Sequence, residues 1–288
     1  MGRSAKRWLA LAALLGVLMM GAGLLKLRVR EHDFVFTPAA NHANLVKYLP
    51  ADAERVALPA DQGSVAGILF RADPIKANGF WLLHLHGNAD SAFSAGQVKK
   101  AEALRALGFS VLAFDYRGFG LTPGTASEAS MYEDSEAAYR GLASRGIPAS
   151  RIIVFGHSLG NTAAIMLAAL HRPAALVLFG AFTSTADVIA GLHSFLPVRL
   201  VLRIHINSLE RIGAVHVPLI IAHSQSDHIV PYAHALKLFA AANEPKRLIS
   251  MEPSNSDAMG GHSSALYEHL DQLEAMLIEI LPSFAQGI

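Results

Sequence analysis

Residues 152–170 read IIVFGHSLGNTAAIMLAAL. A short apolar run leads into Gly156-His157-Ser158-Leu159-Gly160, and an Ala-rich stretch follows. A serine between two glycines says little alone, because both residue types are common. Between a strand and a helix it gains a physical meaning. A sharp turn from strand into helix forces the central residue into an unfavoured backbone conformation and lifts its side chain above the sheet edge. Side chains two positions away would collide with the crossing elements, so Gly156 and Gly160 are needed there. The turn also sets the free N–H groups of a helix start beneath the place where negative charge would develop. The competing reading is a surface or capping serine in a glycine-rich turn.

The flanking sequence supplies that context. Arg55–Leu58 and Val65–Phe70 are two short strands around Asp61-Gln62-Gly63, a hairpin signal. Phe80–Leu85, Val111–Phe114, Ile152–Phe155, Leu176–Phe179, Leu219–Ala222 and Arg247–Met251 are further apolar runs of strand length. Helical patterns lie between them, at Val98–Leu107, Tyr132–Ser144, Ser158–His171 and Tyr232–Ala242, and Ser264–Leu281 reads as a long closing helix. Strands alternating with amphipathic helices imply an α/β fold, with a mostly parallel central sheet covered on both faces. Sites in such sheets lie at the carboxyl ends of strands, where Ser158 stands.

A serine hydroxyl needs a base to become a nucleophile. On this kind of turn the partners follow in the order serine, acid, histidine. Asp227 comes after the apolar run PLIIAHS, at a strand's carboxyl end, and is the candidate acid; Asp187 and Asp257 compete with it, and an N-cap ahead of Pro231 is its structural alternative. His262 follows the last strand behind Gly260-Gly261 and is the candidate base. His228 and His269, which falls in the closing helix, read as ordinary polar residues. An oxyanion needs two backbone donors. The Leu159 amide is one, and the Asn88 amide, in the loop after Phe80–Leu85 where Gly87 allows close approach, is the other. His84 and His86 alternate on a strand at a metal-like spacing, but no third ligand accompanies them, so they read as hydrogen-bonded packing residues. No metal or organic cofactor is implied.

These stretches resemble the α/β-hydrolase superfamily over roughly residues 53–281, and within it the membrane-anchored Bem46-like branch that includes the ABHD-type serine hydrolases. The matching pieces are HLHGNAD (84–90), AFDYRGFGLTPGTASEASMYEDSEAAY (113–139), VFGHSLGN (154–161), SDHIVP (226–231) and GGH (260–262). The resemblance implies the α/β-hydrolase fold with a short lid insertion, a Ser158–Asp227–His262 triad, and a scaffold role for Asp115 and Arg117. Three departures stand out. Asn161 replaces a second glycine, Ala222-His223-Ser224 replaces a His-Gly ahead of the acid, and the loop Pro253–Gly261 is long and polar.

Composition narrows the rest. The chain has 288 residues, 52% hydrophobic and 16% charged, with net charge +1. That suits a large buried core and gives nucleic acid no electrostatic footprint. Cysteine is absent, which removes disulfides, thiolate metal sites and a cysteine nucleophile. Residues 1–7 (MGRSAKR) form a short basic tail. Trp8–Leu25 is an uncharged run, ~27 Å long as a helix against a hydrocarbon core of ~30 Å. Its length favours an uncleaved transmembrane signal anchor (8–25) over a cleaved signal peptide. The basic tail favours the amino terminus inside, with the catalytic domain periplasmic or extracellular. Residues 26–52 read as a linker and 53–288 as the hydrolase domain, with a lid region at about 184–214. There Val188, Ile189, Leu192, Phe195 and Leu196 fit one helical face, either packed on the core or lining an acyl pocket.

The chemistry expected from this pattern is a serine hydrolase of carboxylic or thio esters, acting through an acyl-enzyme on small-molecule or lipid-like substrates. A peptidase or amidase on the same residues, and a non-catalytic scaffold, are the alternatives.

Overall fold

The computed structural model describes residues 2–38, 45–192, 197–252 and 258–285. The chain opens with helix α1 (Arg3–Val35) and then forms a hairpin, β1 (Glu54–Ala60) and β2 (Gly63–Phe70). The alternating part runs β3 (Trp81–Leu85), α2 (Ala95–Ala106), β4 (Ser110–Phe114), α3 (Glu128–Ala143), β5 (Ile152–His157), α4 (Gly160–His171) and β6 (Ala175–Phe179). It continues through α5 (Thr185–Leu192), α6 (Ser208–Arg211), β7 (Leu219–Ser224), α7 (Ala233–Ala241) and β8 (Lys246–Met251). It closes on α8 (Ala265–Glu268), α9 (Leu270–Ile280) and α10 (Pro282–Ala285).

One eight-stranded sheet has the order β1-β2-β4-β3-β5-β6-β7-β8. The pairs β1–β2 and β2–β4 are antiparallel and the others parallel. Pro59 is tolerated because β1 is an edge strand, where a missing N–H costs no ladder bond. The inner strands β5, β6 and β7 are buried throughout, as their uninterrupted apolar runs require. Their alternating side chains feed two apolar cores, one on each face. Val154, Leu176 and Ile221 go to one side, and Ile153, Val177 and Ile220 to the other.

Three details differ from the sequence reading. The closing helix is broken at His269, which leaves the helical basin (φ −128°, ψ 39°), so that α8 lies on β7 while α9 runs along β8. The expected linker is helical as far as Val35. Leu27, Glu31 and Val35, spaced by four, form a buried face of α1 that packs onto the domain. A charged residue in its middle hides this face in the sequence. Glu31 accepts from the amides of Arg203 and Ile204, both at 2.6 Å, which satisfies its carboxylate in the seam. Finally, His84 is not a hydrogen-bonded residue. Both its ring nitrogens are buried without a partner among the described residues, and it packs against Phe155 with ring centres 5.1 Å apart.

Residues 4–35 of α1 are long and apolar enough to cross a membrane. Trp8, Leu14, Val17, Leu18 and Met19 on it are all exposed.

Candidate active site

Ser158 sits between β5 and α4 with φ at +50°, the left-handed region that a serine adopts only under constraint. Its amide is held by the Phe179 carbonyl at 2.9 Å. The crossing is as tight as the sequence pattern requires. A Cβ on Gly160 would stand 2.3 Å from the Leu85 carbonyl oxygen, and one on Gly156 would stand 2.7 Å from Asn161 Cα. Asn161 is buried and donates from Nδ2 to the Phe179 carbonyl (2.8 Å), bracing the same strand end that holds Ser158. This is what the departure from a second glycine does locally.

Asp227 follows β7 and His262 follows β8, so loops at the carboxyl ends of β5, β7 and β8 converge. Ser158 Oγ lies 3.0 Å from His262 Nε2, and His262 Nδ1 lies 2.7 Å from Asp227 Oδ2. Asp227 Oδ1 accepts from the Ile229 and Val230 amides at 2.9 and 2.8 Å. Burial pushes the Asp227 carboxyl up, but hydrogen bonds from His223 and His262, with the His262 charge and the Val230 amide, outweigh it and hold it well below the usual carboxylate range. The group is therefore an anion at neutral pH, able to orient an imidazole and favour its cationic form.

Two histidines that the sequence reading passed over support this arrangement. His223 Nε2 donates to the Val230 carbonyl (2.8 Å) and lies 3.3 Å from Asp227 Oδ2, so it clamps the acid's loop to its strand. His157, the variable residue inside the five-residue turn, donates from Nε2 to the His262 carbonyl at 2.9 Å and stacks on Phe179. Burial keeps its imidazole well below the ordinary histidine range, so it is a neutral strut. Both residues were visible in sequence, His223 within the departure ahead of the acid, but nothing local marked either as a support. Gly260, at φ +69°, also belongs to this loop, where a Cβ would fall 1.9 Å from the Ser226 carbonyl oxygen. Ser224 Oγ donates to the Gly260 carbonyl at 2.7 Å. The His223-Ser224 pair thus ties the acid's strand end to the acid's own loop and to the loop that carries His262.

The competing residues lie elsewhere. Asp187 accepts from Thr183 Oγ1 (2.5 Å) and pairs with Arg199. Asp257 lies outside the described residues, as do Phe195 and Leu196 of the expected lid face. The exposed His228 bonds through its amide to the Met259 carbonyl, and His269 marks the helix break. Asp115 is buried under the loop after β3. It accepts from Ser91 Oγ (3.0 Å) and from the Ala92 (2.7 Å) and Leu121 (2.8 Å) amides, while Arg117 pairs with Asp134 at 2.7 Å. Both are scaffold.

Ser158 opens into a cavity of about 200 Å³. Leu159 and Asn88 line it beside the serine, and among the described residues neither backbone amide meets an acceptor. Val188, Ile189 and Leu192 of α5 line it as well.

A family model described as serine aminopeptidase, S33 matches residues 81–208. An uncharacterized protein of Mycobacterium tuberculosis is 35% identical over 257 residues, covering 85% of this chain and 88% of its own. The human alpha/beta hydrolase domain-containing protein 17B is 27% identical, over 70% of this chain and 67% of its own. The chain belongs to the α/β-hydrolase superfamily. Among solved structures, the Pyrococcus furiosus esterase Pf2001 superposes with a TM-score of 0.65 at 19% identity, over 85% of this chain and 97% of its own. A Xanthomonas campestris serine hydrolase described as lacking a lid gives 0.61 at 16% identity, over 81% and 97%. At such identities the likeness concerns the fold.

Proposed function

We propose that this α/β-hydrolase cleaves carboxylic or thio esters through an acyl-enzyme. The observation that carries the proposal is the hydrogen-bonded run from Ser158 through His262 to Asp227, opening into an apolar cavity. In this reading His262 Nε2 takes the Ser158 proton as Oγ attacks the ester carbonyl, while Asp227 steadies the resulting imidazolium. The Leu159 and Asn88 amides receive the oxyanion. His262 then protonates the departing alcohol or thiol, and water, activated by the same base, releases the acid.

The match to an aminopeptidase family favours a second reading, cleavage of amino-terminal peptide bonds. An aminopeptidase site has to hold a substrate ammonium, for which a carboxylate is the natural partner. None of the described cavity-lining residues is acidic, so the ester reading is preferred.

The same proposal sets the protein on a membrane. In this reading the uncharged run of α1 is the span, and the basic tail favours an outer position for the hydrolase domain. Leu200, 83% exposed, stands with Val201 and Leu202 beside Leu24 and Leu25, where the uncharged run ends, so the capping segment would rest against the bilayer surface.

Fluorophosphonate labelling of the full chain tests the chemistry, with Ser158→Ala and His262→Ala alongside. Labelling of wild type that is lost in both variants supports an activated serine. Folded wild type that neither labels nor hydrolyses p-nitrophenyl acetate would refute the proposal in favour of a non-catalytic scaffold. Faster turnover of aminoacyl-p-nitroanilides than of acyl esters would select the peptidase reading.

A further inference from the structure

Helix α1 does more than lead into the domain. Phe34 and Val35, in its last turn, line the same cavity as Ser158, Leu159 and Asn88. Val35 is buried, and Phe34 is 49% exposed at the rim. They line it together with Val188, Ile189 and Leu192 of α5, so the end of the N-terminal helix and α5 both contribute to its wall.

The seam behind these residues is a built one. Glu31 receives the Arg203 and Ile204 amides, Arg28 Nη1 donates to the Val201 carbonyl at 3.0 Å, and His32 Nε2 donates to the Ala126 carbonyl at 2.7 Å. Just past the helix, the Thr37 amide donates to Asn88 Oδ1 at 2.8 Å, which ties the chain leaving α1 to the loop of the candidate oxyanion amide. Polar bonds on both sides therefore fix where Phe34 and Val35 stand relative to Ser158. A chain docked this way holds its apolar side chains in register with the pocket, which a flexible linker could not do.

From this geometry we infer that Phe34 and Val35 determine acyl-chain length, as the outer wall of the acyl pocket, and that the substrates are esters of apolar acyl chains longer than acetyl. The inference rests on the ester-hydrolase reading. A cavity of about 200 Å³ lies below the roughly 300–1,000 Å³ of drug-sized ligand sites. It is a slot for an acyl chain, with the alcohol portion left at the mouth. An acetyl group stays at the serine, while a medium-length chain must pass Val35 and then Phe34.

The test uses the full-length protein in detergent micelles, with kcat/KM measured for p-nitrophenyl acetate and p-nitrophenyl octanoate. Phe34→Ala removes apolar contact from the far end of the chain, and Val35→Phe fills the cavity. Each should lower the octanoate-to-acetate ratio of kcat/KM about tenfold or more, the scale of an altered apolar pocket. Val29→Ala, on the exposed side of the same helix, should leave the ratio unchanged. A ratio that stays at the wild-type value in Phe34→Ala overturns the wall assignment and leaves the hydrolase standing. Phe34 is half exposed, so this arm decides even if Val35→Phe does not fold. Wild type that labels with neither probe nor ester would remove the hydrolase reading and this inference together.

Discussion

The floor and the outer wall of the cavity are built by opposite means. The floor comes from loops at the carboxyl ends of the parallel strands β5, β7 and β8, where Ser158, Asp227 and His262 meet through bonds of 3.0 and 2.7 Å. The wall comes from a helix at the far end of the chain, docked by an apolar stripe around one carboxylate, Glu31. Sheet register brings the loops of the floor together, and short side-chain bonds from His157, His223 and Ser224 brace them. The wall depends on a few side-chain bonds across more than 170 residues of sequence. The floor should thus be hard to move and costly to alter chemically, whereas the wall should be separable, changing substrate preference or stability with little effect on the chemistry.

Four substitutions would break or sharpen this contrast. The largest effect belongs to the floor. Asp227→Asn keeps the shape but offers His262 the wrong partner, and should lower kcat for p-nitrophenyl acetate by about 10³–10⁴-fold. A loss below tenfold would mean that Asp227 only caps its loop through the Ile229 and Val230 amides. Next comes the seam. Glu31→Leu strands the Arg203 and Ile204 amides and should cost about 2–3 kcal/mol in denaturant unfolding of the detergent-solubilised chain. Acetate turnover should stay within a few-fold at temperatures where the protein is folded. If it falls a hundredfold instead, floor and wall are a single unit.

The third substitution concerns the strut beneath the base. His157→Phe keeps the stacking on Phe179 but removes the donor to the His262 carbonyl. It should lower kcat about tenfold with KM little changed, the signature of a base less well positioned. An altered KM with intact kcat would place His157 in binding instead.

The smallest effect at neutral pH lies within the sheet. Burial holds the His84 imidazole down at about 3, so at pH 7 it is neutral in both folded and unfolded chains. Between pH 6.5 and about 3 the unfolded chain takes up a proton there that the native one refuses. Native stability therefore falls as pH falls through that window, by up to about 1.4 kcal/mol per pH unit. His84→Phe removes this one group's share. It should change stability by about 1 kcal/mol or less at pH 7 and flatten the decline between pH 6 and 4. Equal slopes for variant and wild type would mean that His84 accepts its proton in the folded state.

Much of the fold was legible in sequence because its signals are local. The apolar runs became the buried strands β3 to β7, and the glycines around Ser158 marked a crossing where a Cβ would meet the Leu85 carbonyl oxygen. The order serine, acid, histidine is a consequence of strand order, so the residues the structure brings together could be named from spacing and position. His157 and His223 could not, since a histidine within or beside a motif looks the same whether it braces a loop or faces water. The break at His269 was hidden by an apolar pattern that two short helices on adjacent strands satisfy as well as one long helix does.

The sequence by itself determined the α/β architecture, the strained turn at Ser158 and the presence of an apolar N-terminal helix, because turn sterics and hydrophobic periodicity act over a few residues. Only the tertiary structure decided that this helix runs on to Val35, buries Glu31 against the Arg203 and Ile204 amides, and brings Phe34 to the cavity beside Ser158. Such contacts depend on where distant backbone groups come to lie once the sheet has formed, and no short stretch of sequence carries that information.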